Sequence, residues 1–363
     1  MKSPLLACLV FIAATIASKA DAQRVQRVDR AVEQIRSKYD LPALTAAVLT
    51  PEKIIAIGVA GVRAKGSQTP ATIHDQWHIG SCTKAMTATL LARVVAKTPL
   101  TWETTLEEVY GPANVHPELR AITVKQLLGH RSGLSRDTNY RTDQSKPIRV
   151  QRTELVQRIL SEPPEHPPGT QYHYSNAGYI VAGHIAETAA DQSWEELMVA
   201  GIFEPLGMKQ SGFGAPPTDS SWRQPIGHSK IGTHAAGRDN PPVLGPAGTV
   251  HCTLSDWARF VSEHMKGRNG ESDLLPQETY EQLHAVLPGQ TYALGWGTSR
   301  NASLLHHAGS NTMWYCTVFV DLKENFAVLV ATNIANDNTE KAVRELQNWL
   351  IEQQRQSQKS PTP

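Results

Sequence analysis

Ser81 and Lys84 stand three residues apart in Trp77-His78-Ile79-Gly80-Ser81-Cys82-Thr83-Lys84. Met86, Leu90, Leu91, Val94 and Val95 follow at helical spacing, which predicts an amphipathic helix with Ser81 at or just before its start. Residues i and i+3 share a helix face. A primary amine then lies beside a hydroxyl at the positive end of a helix dipole, a workable base and nucleophile. Serine is also a common N-cap, and a Ser-x-x-Lys pair arises by chance on the order of once in a chain this long. The pair needs further parts to make a site, and two short stretches offer them. Tyr174-Ser175-Asn176 is the only Tyr-x-Asn in the chain; it follows a Pro-rich turn and precedes a helix. His307-Ala308-Gly309-Ser310 begins the terminal strand region, where a glycine lets a ligand approach the backbone closely. Singly, Tyr174 reads as well as an interfacial aromatic, and His307 as a loop histidine.

Other hydrolase signatures are missing. Ser81 is not in a G-x-S-x-G elbow, and no H-E-x-x-H or phosphate-binding glycine loop occurs. His74 and His78 have i,i+4 spacing but precede the helix and have no evident carboxylate partner. The motifs call for no metal and no cofactor.

The elements that must position these residues follow from periodicity. Arg24 to Tyr39 reads as an amphipathic helix, and Ala43 to Thr50 and Lys53 to Val62 as two strands around Pro51-Glu52. The middle of the chain is mostly helical. Thr123-x-x-Gln126 and Ser193-x-x-Glu196 resemble capping boxes, and Thr153 to Leu160 and Tyr179 to Ala190 read as helices. Residues 211–247 are rich in Gly, Pro and Ser and read as loop. Thr253-x-x-Asp256 starts a helix over Trp257 to Met265, which Gly267 is expected to end. Tyr315 to Asp321 and Phe326 to Thr332 read as a hairpin, and Glu340 to Gln353 as a last amphipathic helix. The expected architecture is an α/β fold of the α+β type. An antiparallel sheet from both chain ends (23–80 and 248–355) is flanked by the terminal helices, a mainly helical lobe spans 81–247, and 356–363 form a disordered tail. A cleft between two such lobes suits a ligand.

The first residues read as a secretory signal: Lys2, an apolar run from Leu5 to Ile16 too short to span a bilayer, and Ala20-Asp21-Ala22 before Gln23. Residues 1–22 are therefore expected to be removed, giving a periplasmic or secreted protein with no membrane span left. The formal net charge is +1 with no basic run, which argues against nucleic acid as a partner. Cys82, Cys252 and Cys316 remain after cleavage and read as small buried hydrophobes, with a Cys82–Cys252 bridge as the alternative in an oxidising compartment.

Taken together and in order, Ser81-x-x-Lys84, Tyr174-x-Asn176 and His307-x-Gly309 resemble the serine β-lactamase and penicillin-binding superfamily. The resemblance is closest to the class C β-lactamase branch, with its D-Ala-D-Ala carboxypeptidases and related esterases. It extends to Leu127-Leu128-Gly129-His130-Arg131-Ser132-Gly133-Leu134, to Pro168-Gly169 through Gly178-Tyr179, and to Pro205-Leu206-Gly207-Met208. Ala247-Gly248, Ser255 to Phe260 and Leu294-Gly295-Trp296-Gly297 also have counterparts. The resemblance implies a β-lactamase/transpeptidase-like fold and an acyl-enzyme on Ser81. Lys84 or Tyr174 would be the base, Asn176 would bind the substrate amide or the Lys84 amine, and the N–H groups of Ser81 and Ser310 would form an oxyanion hole. The implied substrate is a small molecule or peptidoglycan-type compound, either a D-amino-acid peptide or a small ester. A β-lactamase and a non-hydrolytic penicillin- or peptidoglycan-binding protein are the alternatives. His307 stands where β-lactamases usually have a permanently charged Lys, which leans away from efficient β-lactam hydrolysis. Met313 is expected to narrow the cleft wall, and Cys82 to point into the helical lobe.

Overall fold

The computed structural model describes residues 25–286 and 290–359. The expected signal segment, residues 1–22, lies outside the described residues. Among the described residues, ten strands form two sheets. They are β1 (Gln26–Arg27), β2 (Ala43–Leu49), β3 (Ile54–Gly61), β4 (Gln76–His78), β5 (Ser211–Phe213), β6 (Val250–Thr253), β7 (Gly297–Thr298), β8 (Leu304–Ser310), β9 (Tyr315–Asp321) and β10 (Phe326–Thr332). The helices are α1 (Asp29–Lys38), α2 (Thr83–Val95), α3 (Leu106–Tyr110), α4 (Val124–Leu128), α5 (Ile148–Ser161), α6 (Asn176–Ala190), α7 (Trp194–Met198), α8 (Gly245–Gly248), α9 (Leu254–Arg268), α10 (Gln277–His284) and α11 (Thr339–Lys359).

The large sheet runs β1-β3-β2-β10-β9-β8-β7, antiparallel except for β1 against β3. Its centre is where the two ends of the chain meet, with Thr45 on β2 opposite Ala331 on β10. The central strands read as nearly continuous apolar runs because both faces are covered. Phe326, Val328 and Val330 of β10 pack with Val32 and Ile35 of α1 and Leu346 and Leu350 of α11. Ala327, Leu329 and Ala331 alternate with them and face the core of the helical layer. The β9–β10 turn is closed by Asp321, whose carboxylate accepts the N–H groups of Lys323 and Glu324 at 3.1 and 3.0 Å.

In the helical layer, α2 is buried on every side rather than amphipathic, with Lys84, Thr87 and Thr89 as enclosed as Met86 and Leu90. Its threonines tolerate this because their hydroxyls bond carbonyls: Thr87 to Pro246 O at 2.7 Å and Thr89 to Ala85 O at 2.9 Å. The capping boxes at Thr123 and Ser193 form as their spacing predicts. Ser175 N-caps α6 through Gly178 N, so this helix starts at Asn176, three residues before its first expected position.

Several expectations are corrected. The small sheet β4-β6-β5 sets Cys252 opposite Trp77, and Cys82, Cys252 and Cys316 are all buried free thiols, so the alternative of a Cys82–Cys252 bridge is not formed. Cys82 points to the large sheet, with its Sγ 3.6 Å from Cys316 Sγ on β9. Gly267 lies inside α9 and does not end it; a Cβ there would meet the Tyr280 ring at 2.2 Å, so the glycine makes room for α10. α11 continues through Lys359, past the point where a tail was expected.

Candidate active site

Ser81 lies in a short 3₁₀ helix, Gly80–Cys82, leading from β4 into α2. Ile79 N bonds Val250 O on β6 at 2.9 Å, which fixes the entry to the turn. Gly80 has φ +48°, and a Cβ there would lie 2.3 Å from Ser310 N. On β8, a Cβ at Gly309 would lie 2.0 Å from Ile79 O. These two glycines let the end of β8 press backbone to backbone against the Ser81 turn. The N–H of Ser81, in the first turn of a helix, and that of Ser310 therefore come from two elements in direct contact.

Lys84 points back along α2. Its Nζ lies 3.1 Å from Ser81 Oγ, 2.8 Å from Asn176 Oδ1 and 2.7 Å from Ala247 O. The amine is fully enclosed, and burial lowers it from the ordinary lysine value to about 7. Asp137 and the rings of Tyr174 and Tyr179, 4.8 and 5.3 Å from Nζ at their centroids, favour the charged form without overcoming that burial. Asn176 is itself held, since its Nδ2 donates to Asp137 Oδ1 at 2.8 Å. Burial would raise Asp137, but hydrogen bonds from Tyr140 and Asn176 and the nearby Arg136 and Lys84 charges hold it below the usual carboxylate range.

Tyr174 stands over the same pocket. Burial pushes its phenol up, and the nearby Ser81 hydroxyl pulls it only part of the way back. Its position depends on His130, whose place within the 127–134 segment carries no sign of this role. His130 O accepts His173 N at 2.8 Å, and His130 Nδ1 accepts Ser175 N at 3.0 Å. One residue thus grips the chain on both sides of Tyr174. His130 has φ +56°, an uncommon conformation for a residue with a side chain. Its buried ring lies 4.3 Å from Tyr174 and 4.7 Å from Tyr292, centroid to centroid. Burial, with Lys84 and His307 close by, holds it well below the ordinary imidazole value. It therefore stays neutral, with its proton on Nε2, and adds no positive charge beside Lys84.

His307 is enclosed on β8. Its Nδ1 lies 2.7 Å from Ala308 O, which can only accept, so Nδ1 carries a proton; its Nε2 lies 3.0 Å from Tyr292 OH. Both ring nitrogens are engaged within the protein. Met313 does not narrow the cleft: it is buried, with its Cβ near Gly227, where an added Cβ would meet it at 2.8 Å.

Ser81, Tyr174, Asn176, His307, Gly309 and Ser310 line one cleft of ≈ 1370 Å³, with Lys84 beneath it. Arg131, Arg136 and Arg300 also line it, and no Asp or Glu lines it among the described residues. Tyr292, Arg136, Asp137 and the Ala247 carbonyl were not legible as site groups. Their types and local spacing carry no signal, and only the fold brings them to Lys84 and His307.

The Beta-lactamase family model matches residues 28–353. "Protein flp" of Staphylococcus aureus (strain COL) is 22% identical over 347 residues, covering 92% of this chain and 68% of its own. "Penicillin-binding protein 4" of Amycolatopsis lactamdurans is 26% identical over 242 residues, 64% of this chain and 62% of its own. Among solved structures, SurE superposes with a TM-score of 0.73 at 20% identity, over 90% of this chain and 74% of that one. The D-alanine carboxypeptidase AmpC from Burkholderia cenocepacia superposes with a TM-score of 0.69 at 19% identity, over 86% and 95%. At these identities the superpositions speak for the fold.

Proposed function

Because the chain belongs to the Beta-lactamase family, we propose that it is an exported serine hydrolase that is acylated on Ser81. Its substrates on this reading are D-amino-acid peptides or small esters. One observation carries the proposal: a buried amine, lowered to about 7, is held 3.1 Å from Ser81 Oγ by two fixed acceptors. With the amine neutral, its two N–H bonds satisfy Asn176 Oδ1 and Ala247 O, and its lone pair is left for the Ser81 hydroxyl. Lys84 is then the base and takes the Ser81 proton as Oγ attacks the carbonyl carbon. Tyr174 is a poor base because its phenol stays protonated, but it suits a relay that passes a proton from Lys84 to the leaving amine or alkoxide. The N–H groups of Ser81 and Ser310 would stabilise the oxyanion, where each such donor is worth about 2.7–4 kcal/mol. Water then attacks the ester, with the proton transfers reversed.

His307 has no free N–H to offer a substrate carboxylate. On this reading Arg136 and Arg300, exposed along the cleft, attract an anionic substrate. The test is intact mass after exposure to an activated ester and, separately, to a penicillin. The expected result is one acyl adduct on the wild-type chain and none on Ser81→Ala; an equal adduct on both excludes the mechanism. An adduct that persists without turnover favours the binding-protein reading instead. The same spectrum of protein recovered from the expressing cells reads the mature N-terminus, expected at Gln23 if the signal is removed.

A further inference from the structure

Outside the Ser81 site, Glu165, His166 and His173 gather three metal-ligating atoms that all lie within 4.8 Å of one another. His173 Nε2 is 3.0 Å from Glu165 Oε2, and the two imidazole centroids are 4.5 Å apart at 69°. We propose that these side chains form a binding site for a Zn²⁺-class transition-metal ion on the rim of the cleft. The proposal is independent of the acyl-enzyme reading and stands on the geometry of this loop.

The loop that carries the three ligands is held by its backbone. Glu165 N and His166 N donate to Gly133 O at 2.9 and 3.4 Å, Gly169 N to Arg131 O at 2.8 Å and His173 N to His130 O at 2.8 Å. A Cβ at Gly133 would lie 2.0 Å from His166 O, so the two segments are in direct backbone contact. The side chains thus project from a braced loop, which lowers the ordering cost of ligation. Two imidazoles and one carboxylate suit Zn²⁺ and its neighbours, whereas Mg²⁺ and Ca²⁺ take oxygen ligands. With bonds of about 2.0–2.2 Å, two ligands on a tetrahedral ion are separated by roughly 3.3–3.5 Å, a small side-chain adjustment from the present arrangement. The Glu165 side chain is 52% exposed, leaving room for water at the remaining position. An exposed Glu165–His173 ion pair explains two of the residues and gives no role to His166.

The position gives the site a consequence. Thr170, Gln171 and Tyr172 line the cleft, and they lie between His166 and His173; Tyr174 follows directly. An ion here closes the 166–173 loop on itself and ties one cleft wall in place.

The full chain, stripped with a chelator, is titrated with ZnCl₂ and in a separate arm with MgCl₂ by calorimetry. The expected result is one equivalent of Zn²⁺ bound at micromolar Kd or tighter, a raised Tm, and no Mg²⁺ binding. His166→Ala and Glu165→Gln are each expected to weaken Zn²⁺ by at least about tenfold. Their metal-free Tm reports that they fold. His74→Ala, at an exposed histidine elsewhere, is expected to bind as the wild type does. Millimolar binding to the wild-type chain, equal Mg²⁺ binding, or unchanged affinity in both loop variants overturns the proposal.

Discussion

On the proposed mechanism, Lys84 couples charge to chemistry. Burial lowers its amine to about 7, and only the neutral amine can accept the Ser81 proton. Acylation is therefore expected to rise about tenfold per pH unit below that value and to level off above it. The check is the pH profile of the acylation rate with a neutral ester, whose own charge does not change; a flat profile between pH 5.5 and 8 contradicts Lys84 as base. Lys84→Arg keeps a cation that does not deprotonate and is expected to lose about 10²–10⁴-fold in acylation rate. Ser81, Lys84, Tyr174 and Asn176 were legible as candidates because each belongs to a short spacing that local chemistry can justify. His130 and Tyr292 were not. Their contributions depend on a positive φ and on a partner at the far end of the cleft, and neither leaves a trace in local spacing.

At the scale of elements, the contact between β8 and the Ser81 turn decides whether the two N–H groups converge. Gly309→Ala would drive a Cβ to 2.0 Å from Ile79 O, a clash with backbone that no rotamer relieves. It is expected to destabilise the fold by about 1–3 kcal/mol and to lower the acylation rate further than that loss accounts for. Gly58→Ala on β3, whose Cβ would meet Val28 C at 2.8 Å, is the control: stability falls while acylation by the folded fraction does not. Urea midpoints and single-turnover acylation measured on both variants separate the two effects. The strands β2, β3, β9 and β10 were readable because alternation and apolar runs report burial on one or both faces. The small sheet was not, since β4 and β5 are three residues each, too short for a period to register. The amphipathic reading of α2 failed for a related reason. Its threonines look like a polar face until their carbonyl partners on α8 and within α2 are known.

At the scale of the molecule, burial has gathered imidazoles that stay neutral. His130 and His264 are held well below the ordinary value, His284 is pushed down to about 3, and His184 and His228 each to about 4, in every case mainly by burial. The unfolded chain protonates these rings near about 6.5 while the folded chain does not. Their contribution to stability is therefore complete above that value and declines as pH falls below it, by at most about 1.4 kcal/mol per group per pH unit. For the five groups, the loss between pH 7.5 and 5.5 is expected to be on the order of 7 kcal/mol. Urea unfolding at the two pH values checks it, and equal midpoints contradict it. The pairing of β2 with β10 has a different consequence, in time. Thr45 is synthesised early and its partner Ala331 very late, and Ser310 arrives late as well. A growing chain holds Ser81 and Lys84 long before it holds the end of β8 that packs against their turn. On the reading proposed above, a nascent or prematurely terminated chain is chemically silent, and reactivity switches on only when the closing hairpin has docked.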